Sequence, residues 1–252
     1  LARHESFSIC PTASNSIDTV AAWLAMHNHQ AGLLEPVFDN LYLIMKRRGV
    51  KTHSIQEMDL INLDKLESSI DRHKLKALVI VTPNNPTGFE LHSDELRALC
   101  ALCARKRVTL VVDRTFRFYS QYHFDDYALL EDSGVNWVTI EDTGKTWPTQ
   151  DMKVSLIAYS QTIAAELRQL YEEIFLCTSN FALALLAKIM ELTLTLGVYE
   201  VVGKEVANRK AMVIEALHGT NLTFVQSTRG SLLPFAWLDC THTGLSDLEL
   251  VN

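Results

Sequence analysis

The chain has 252 residues, 48% of them apolar and 21% charged, and its 23 basic and 30 acidic side chains give a net charge of −7. Those figures describe an ordinary soluble globular protein with room for one large domain, or one domain and part of a second. The mildly acidic field argues against nucleic-acid and membrane-surface partners.

The opening residues LARHESFSIC contain no apolar leader. Residues 15–30 read as a helix, with Thr12 and Ser14 as candidate N-caps. His27 and His29 fall at its end, expected on different faces and so not as a metal pair. Residues 38–48 read as a second helix and 50–55 as a short strand. Asn62 is placed to cap a helix over residues 63–73. The run LKALVIVTP then has the apolar, β-rich character of a strand buried on both faces.

Ser93 is expected to cap a helix ending near Arg107, on which Cys100 and Cys103 share the apolar face as core filler. VTLVVD, NWVTIED and VSLIAYS read as three further strands. Helices dominate residues 161–217, and FALALLAKIMELTLTLGV, which carries Lys188 and Glu191, reads as a buried helix rather than a membrane span. LTFVQS and LLPFAWLD are late strand-like runs.

Strands alternating with helices predict an α/β fold with a mostly parallel sheet sandwiched by helices. Residues 1–196 would form this large domain, and 197–252 the start of a small α+β C-terminal one. Five scattered cysteines without framework spacing fit a reducing compartment, and so a cytoplasmic location. The first residue is not Met and the last, DLELVN, have no obvious cap, so both ends are expected to be cut or unobserved.

In parallel sheets ligands bind outside the carboxyl ends of the strands. The first long strand runs into Thr82-Pro83-Asn84-Asn85-Pro86-Thr87-Gly88, the next ends in Asp113, and the next in Glu141-Asp142-Thr143-Gly144-Lys145. Three strands thus bring an amide, a carboxylate and an amine to one rim. No G-x-G-x-x-G and no G-x-x-x-x-G-K-[ST] occurs, which leaves nicotinamide and nucleoside-triphosphate binding without support.

The Asn-Pro box, the Asp after the next long strand and the Lys after another resemble the fold type I pyridoxal-phosphate enzymes, class I/II of the aspartate aminotransferase superfamily. The resemblance runs from about residue 12 to 239. It implies pyridoxal 5′-phosphate as cofactor, with Lys145 forming the Schiff base and moving the Cα proton. Asp113 would pair with the ring nitrogen, and Asn85 would donate to the phenolic oxygen. PTASNSIDTVAAWL resembles the family's phosphate cup, so backbone N–H groups at Ala13, Ser14 and Asn15 would hold the phosphate. EPVFDNLY resembles the segment whose aromatic ring covers the cofactor, here Phe38.

Four departures stand out. Phe116 occupies the position of a tyrosine that also bonds the phenolic oxygen, and the resemblance makes Tyr119 and Tyr122 candidates to replace its hydroxyl. Asp142 stands where a Ser or Thr is usual, so Thr143 is expected to supply that hydroxyl to the phosphate. Lys153 replaces an arginine, keeping the charge but losing the fork. Arg114 replaces a commonly acidic or small neighbour of the aspartate. The segment that holds the family's substrate-carboxylate arginine lies beyond Asn252.

The implied activity is an aminotransferase acting on an amino acid and a 2-oxo acid, as a homodimer. The departures around the ring keep a second reading open: cyclisation, elimination or amino-acid oxidation with the same cofactor. A third is a non-catalytic ligand-sensing domain of a transcription regulator.

Overall fold

The computed structural model describes residues 6–147, 149, 152–175, 178–225 and 231–251. Its centre is a seven-stranded sheet made of β1 (Phe7–Cys10), β2 (Ala31–Glu35), β3 (Thr52–Gln56), β4 (Ala77–Val81), β5 (Thr109–Asp113), β6 (Trp137–Asp142) and β7 (Ser155–Tyr159). The spatial order is β1-β7-β6-β5-β4-β2-β3. Strands β3, β2, β4, β5 and β6 pair in parallel, and β7 runs antiparallel to both β6 and β1.

The central strands β4, β5 and β6 are buried along their whole length because both faces are covered. Side chains alternate between two cores. Val79, Val81, Val111, Val138 and Ile140 join one core with Trp23, Leu24, Leu41 and Leu167. The last four come from α1 (Ala13–Met26), α2 (Asp39–Arg47) and α7 (Ala164–Ile174). Leu78, Ile80, Leu110, Val112 and Trp137 join the other with Leu66, Leu99, Leu102 and Leu130. These belong to α4 (Leu63–His73), α5 (Ser93–Lys106) and α6 (Asp126–Asp132); α3 (Glu57–Ile61) lies on the same side. The sheet sandwiched by helices is therefore the fold expected from the sequence. By the same alternation Asp113 and Asp142 continue the parity of the α1 side, and Arg114 and Glu141 that of the α5–α6 side.

Several boundaries differ from expectation for local reasons. Thr12 is the cap of α1, its Oγ1 accepting from Asn15 N–H at 3.3 Å. That helix stops at Met26 rather than near residue 30, because Asn28 turns with φ 53° and β2 follows. His29 therefore lies off the helix and folds back, and its ring sits 5.2 Å from that of His27 rather than on a separate face. No group of three or more His, Cys, Asp or Glu suited to a metal occurs among the described residues. His92, not Ser93, caps α5, with its N–H donating to Glu95 Oε2 at 2.8 Å. Cys100 and Cys103 are fully buried there, as expected.

Strands β1 and β2 arise where no strand was expected; each is a run of only four or five residues. After β7 come α7 and α8 (Asn180–Leu196), a π-helical turn at Tyr199–Gly203 and α9 (Lys204–Ala216). Helix α8 is not the buried helix expected: of its residues only Leu186 and Thr193 are buried. The late strands shrink to a two-residue ladder, β8 (Thr223–Phe224) with β9 (Leu238–Asp239). The Gln226–Ser227 end of the expected strand lies outside the described residues. The last helix is α10 (Asp247–Val251). Among the described residues no single helix is long and apolar enough to cross a membrane.

Candidate active site

The carboxyl ends of β4, β5 and β6 and the N-terminus of α1 enclose a cavity of about 220 Å³. Asn85, Asp113, Phe116, Lys145 and Lys153 line it, as do Ala13, Ser14 and Phe38. Asn15 and Thr143 do not. The Asn15 N–H is turned back onto Thr12, and its side chain accepts from the Thr12 hydroxyl at 2.7 Å. The Thr143 hydroxyl is committed to Val154, donating to its carbonyl and accepting from its N–H, both at 3.0 Å. Thr143 thereby fastens the turn after β6 to the start of β7.

Asn85 owes its place to its neighbour. Asn84 is fully buried and its amide donates to Pro36 O at 2.8 Å and Glu57 Oε1 at 2.6 Å. Thr87 also donates to Glu57. Gly88 closes the turn with φ 74°, a conformation costly to any other residue, and its N–H donates to Asn84 O at 2.8 Å. With Asn84 anchoring the loop, half-buried Asn85 is left to the cavity.

Asp113 is 2% exposed. Its Oδ1 accepts from Thr115 N–H at 2.9 Å. Burial pushes its carboxyl up to about 6, Asp142 adds to the rise, and Thr115 and Lys145 oppose it. Asp142 also lines the cavity, and its Oδ1 accepts from Gly144 N–H at 2.7 Å, capping the short turn Thr143–Lys145. Lys145 is exposed on that turn, and its carbonyl accepts from Tyr119 Oη at 2.9 Å.

That bond occupies the Tyr119 hydroxyl, and burial pushes the phenol up to about 12. The Tyr122 ring lies tilted against that of His92, their centroids 3.8 Å apart. Neither tyrosine lines the cavity. Phe116 instead packs edge-on against Phe235 at 5.1 Å. Lys153 lies against Gly144 so closely that an added Cβ would stand 2.7 Å from its Cδ. Glycine is required there by proximity.

Thr12, expected only as a helix cap, and Ile17, Asn40, Val81 and Thr115, not singled out from sequence, complete the lining. Thr115 could have been, since it lies between Asp113 and Phe116. Asn40 follows Phe38 by two residues in a helix start and carries no comparable signal. A larger cleft of about 320 Å³, between α9 and residues 224 and 233–236, has Arg209 and Lys210 at an apolar wall but no acid among its lining residues.

The family model for aminotransferase class I and II matches residues 4–239. The chain belongs to that family. Among curated members, this aminotransferase-family chain is 25% identical over 126 residues to an aspartate aminotransferase of Sulfurisphaera tokodaii, covering 48% of the chain and 31% of the relative. It is 38% identical over 72 residues to histidinol-phosphate aminotransferase 2 of Caulobacter vibrioides, covering 29% and 18%. These matches span less than half the length of the curated relatives.

The solved structure of MppP soaked with the product 2-ketoarginine has a TM-score of 0.82 and 29% identity, covering 92% of this chain and 65% of that one. A PLP-bound protein from Clostridium difficile 630 shares the fold, with TM-score 0.79, 19% identity, and coverage of 99% and 67%. Family and neighbour imply pyridoxal phosphate as the cofactor, and the donor set suits it. A fully enclosed carboxyl that burial makes reluctant to ionise matches a cationic ring nitrogen. The N1 and N2 positions of α1, Ala13 and Ser14, have N–H groups without intrahelical acceptors, and with Lys153 they match a phosphate.

Proposed function

We propose that this chain is the cofactor-binding part of a pyridoxal-phosphate-dependent aminotransferase that moves an amino group from an amino acid to a 2-oxo acid in two half-reactions. What carries the reading is the meeting of Lys145, Asp113, Asn85 and the α1 N-terminus around one cavity. When bound, pyridoxal phosphate supplies an electron sink for the charge left at the substrate Cα.

The chain's own residues then divide the work. Asp113 would keep a proton on the ring nitrogen, its buried carboxylate being the group placed to pair with it. Asn85 would donate its amide N–H to the phenolic oxygen. Ala13 and Ser14 N–H groups and the Lys153 ammonium hold the phosphate. Phe38 covers one face of the ring and excludes water. Lys145 Nζ would hold the cofactor through its aldehyde, and its free amine would be the base that carries the proton of the substrate Cα. Residues 197–252 would begin a second, smaller domain.

A homodimer in the cytoplasm is part of the proposal. Supporting it are Phe181, Leu185 and Leu192, at 77%, 36% and 58% exposure on α8, which share one apolar helix face that water does not favour. The free thiols Cys10, Cys100, Cys103 and Cys240 fit a reducing compartment.

Phe116 supports one alternative, amino-acid oxidation with the same cofactor. A phenylalanine there removes a donor that would steady charge on the phenolic oxygen. Incubating the loaded protein with amino acids separates the two. Transamination yields the pyridoxamine form and a 2-oxo acid in equal amounts; 2-oxo acid without pyridoxamine, formed with oxygen uptake, favours the alternative and ends the first reading.

A further inference from the structure

Directly behind the cavity, on the opposite parity of the same strands, lies a buried cluster of charge. Arg114 follows Asp113 and is 5% exposed. Its Nη1 donates to Thr82 O at 2.9 Å, and its Nε stands 2.8 Å from Asp126 Oδ2. Asp126, 1% exposed on α6, is shared with Arg117, whose Nη2 donates to its Oδ1 at 3.0 Å. Arg117 also pairs with Glu141. Glu141 accepts from Tyr127 Oη at 2.6 Å.

Two cations and two anions balance, but such a cluster is a poor source of stability. Taking these charges out of water costs about what their attraction returns, and an apolar set of the same volume often does as well. Its attested use is to fix register. Here the registered pieces are the ones that face the cavity. Thr82 opens the loop carrying Asn85, Arg114 is covalently next to Asp113, and Glu141 is next to Asp142 and four residues before Lys145.

We propose that Arg114 is a positioning residue: it ties the loop bearing Asn85 to the strand end bearing Asp113 and, through Asp126 and Arg117, to the β6 end that leads into Lys145. This deepens the cofactor-binding reading and rests on it. A guanidinium is required because one rigid group must donate to the Thr82 carbonyl through Nη1 while its Nε edge pairs in charge with Asp126; lysine reaches one of them at a time.

The test compares purified wild type, Arg114→Met, Arg114→Lys and Leu66→Ala. In the first variant Asp126 and Glu141 share Arg117, leaving the cluster one net negative charge, and the stability this costs is what the Leu66→Ala control accounts for. Leu66 is fully buried on α4, away from the cavity, and its truncation removes stability alone. Two readouts are taken: pyridoxal phosphate affinity by titration of the visible band, and amide hydrogen exchange of residues 82–88 and 141–145 in unloaded protein.

Arg114→Met is expected to weaken affinity at least about tenfold, with partial recovery in Arg114→Lys, and to speed exchange in both segments together. Leu66→Ala is expected to melt earlier yet leave affinity and the relative exchange of those segments unchanged. Unchanged exchange in Arg114→Met overturns the inference whatever the wild type binds. Affinity that falls only as far as in a Leu66→Ala protein of equal melting point also overturns it. A wild type that takes up no pyridoxal phosphate ends the functional reading instead, and the exchange result still decides whether Arg114 registers the strand ends.

Discussion

Asp113→Asn should have opposite effects on the unloaded protein and on cofactor binding. The carboxyl is 2% exposed, and burial raises it from 3.8 to about 6. At about pH 7.5 the folded, unloaded protein must hold it ionised. With about 1.4 kcal/mol per pH unit, the shift of about 2 units costs about 3 kcal/mol. The sign follows from proton binding: between pH 3.8 and about 6 the folded state holds a proton the unfolded chain has lost, so stability falls as pH rises through that window and levels off above it. Asparagine keeps an oxygen to accept from Thr115 N–H and removes the charge.

The variant should therefore be more stable than wild type near pH 7.5 by up to about 3 kcal/mol, or about 2–4 °C per kcal/mol, and should show little gain near pH 4. It should also bind pyridoxal phosphate more weakly, because no anion faces the ring nitrogen. Urea unfolding at the two pH values and a titration of the visible band measure both. A variant less stable at neutral pH, or one that binds the cofactor as tightly as wild type, would refute the reasoning.

Three further outcomes are expected. Gly144→Ala puts a methyl 2.7 Å from Lys153 Cδ and 2.9 Å from its Cβ, so the lysine must leave the cavity wall; cofactor titration should show weaker binding with about 1–3 kcal/mol of lost stability, and unchanged binding would remove Lys153 from the phosphate site. Phe116→Tyr restores a donor beside the phenolic oxygen and should lower the pH midpoint of the visible band by about one unit, followed by spectral titration; an unmoved midpoint means that the hydroxyl does not reach. Burial pushes the Cys100 thiol up to about 11 and Cys103 higher still, so both should resist a thiol reagent until the protein unfolds, while half-buried Cys240 reacts in the folded state; peptide mapping after labelling reads this directly.

Much of the frame was legible because its signals are local. The apolar runs of β4, β5 and β6 and the polar residues at their ends are contiguous in sequence, which is why Asn85, Asp113 and Lys145 could be picked out and why they meet at one rim. Strands β1 and β2 were not legible, since four or five residues with no alternation look like the flanks of the neighbouring helix. Long-range polar contacts were hidden for a different reason. Nothing near Thr143 in sequence announces that Val154 will take its hydroxyl, and nothing near Asn84 points to Glu57. Arg114 read only as an unusual neighbour of the aspartate; its partners Thr82 and Asp126 become visible once the strands are side by side. The exposure of α8 was misjudged because its composition is that of a core helix, whereas burial depends on what packs against it.

The reading rests on the amine of Lys145 meeting the cofactor aldehyde, and borohydride trapping tests that most directly. Protein loaded with pyridoxal phosphate is reduced, digested and analysed by peptide mass spectrometry. The expected result is a single phosphopyridoxyl adduct on Lys145, lost in Lys145→Ala. An adduct spread over surface lysines, or one that persists at the same level in that variant, would contradict it.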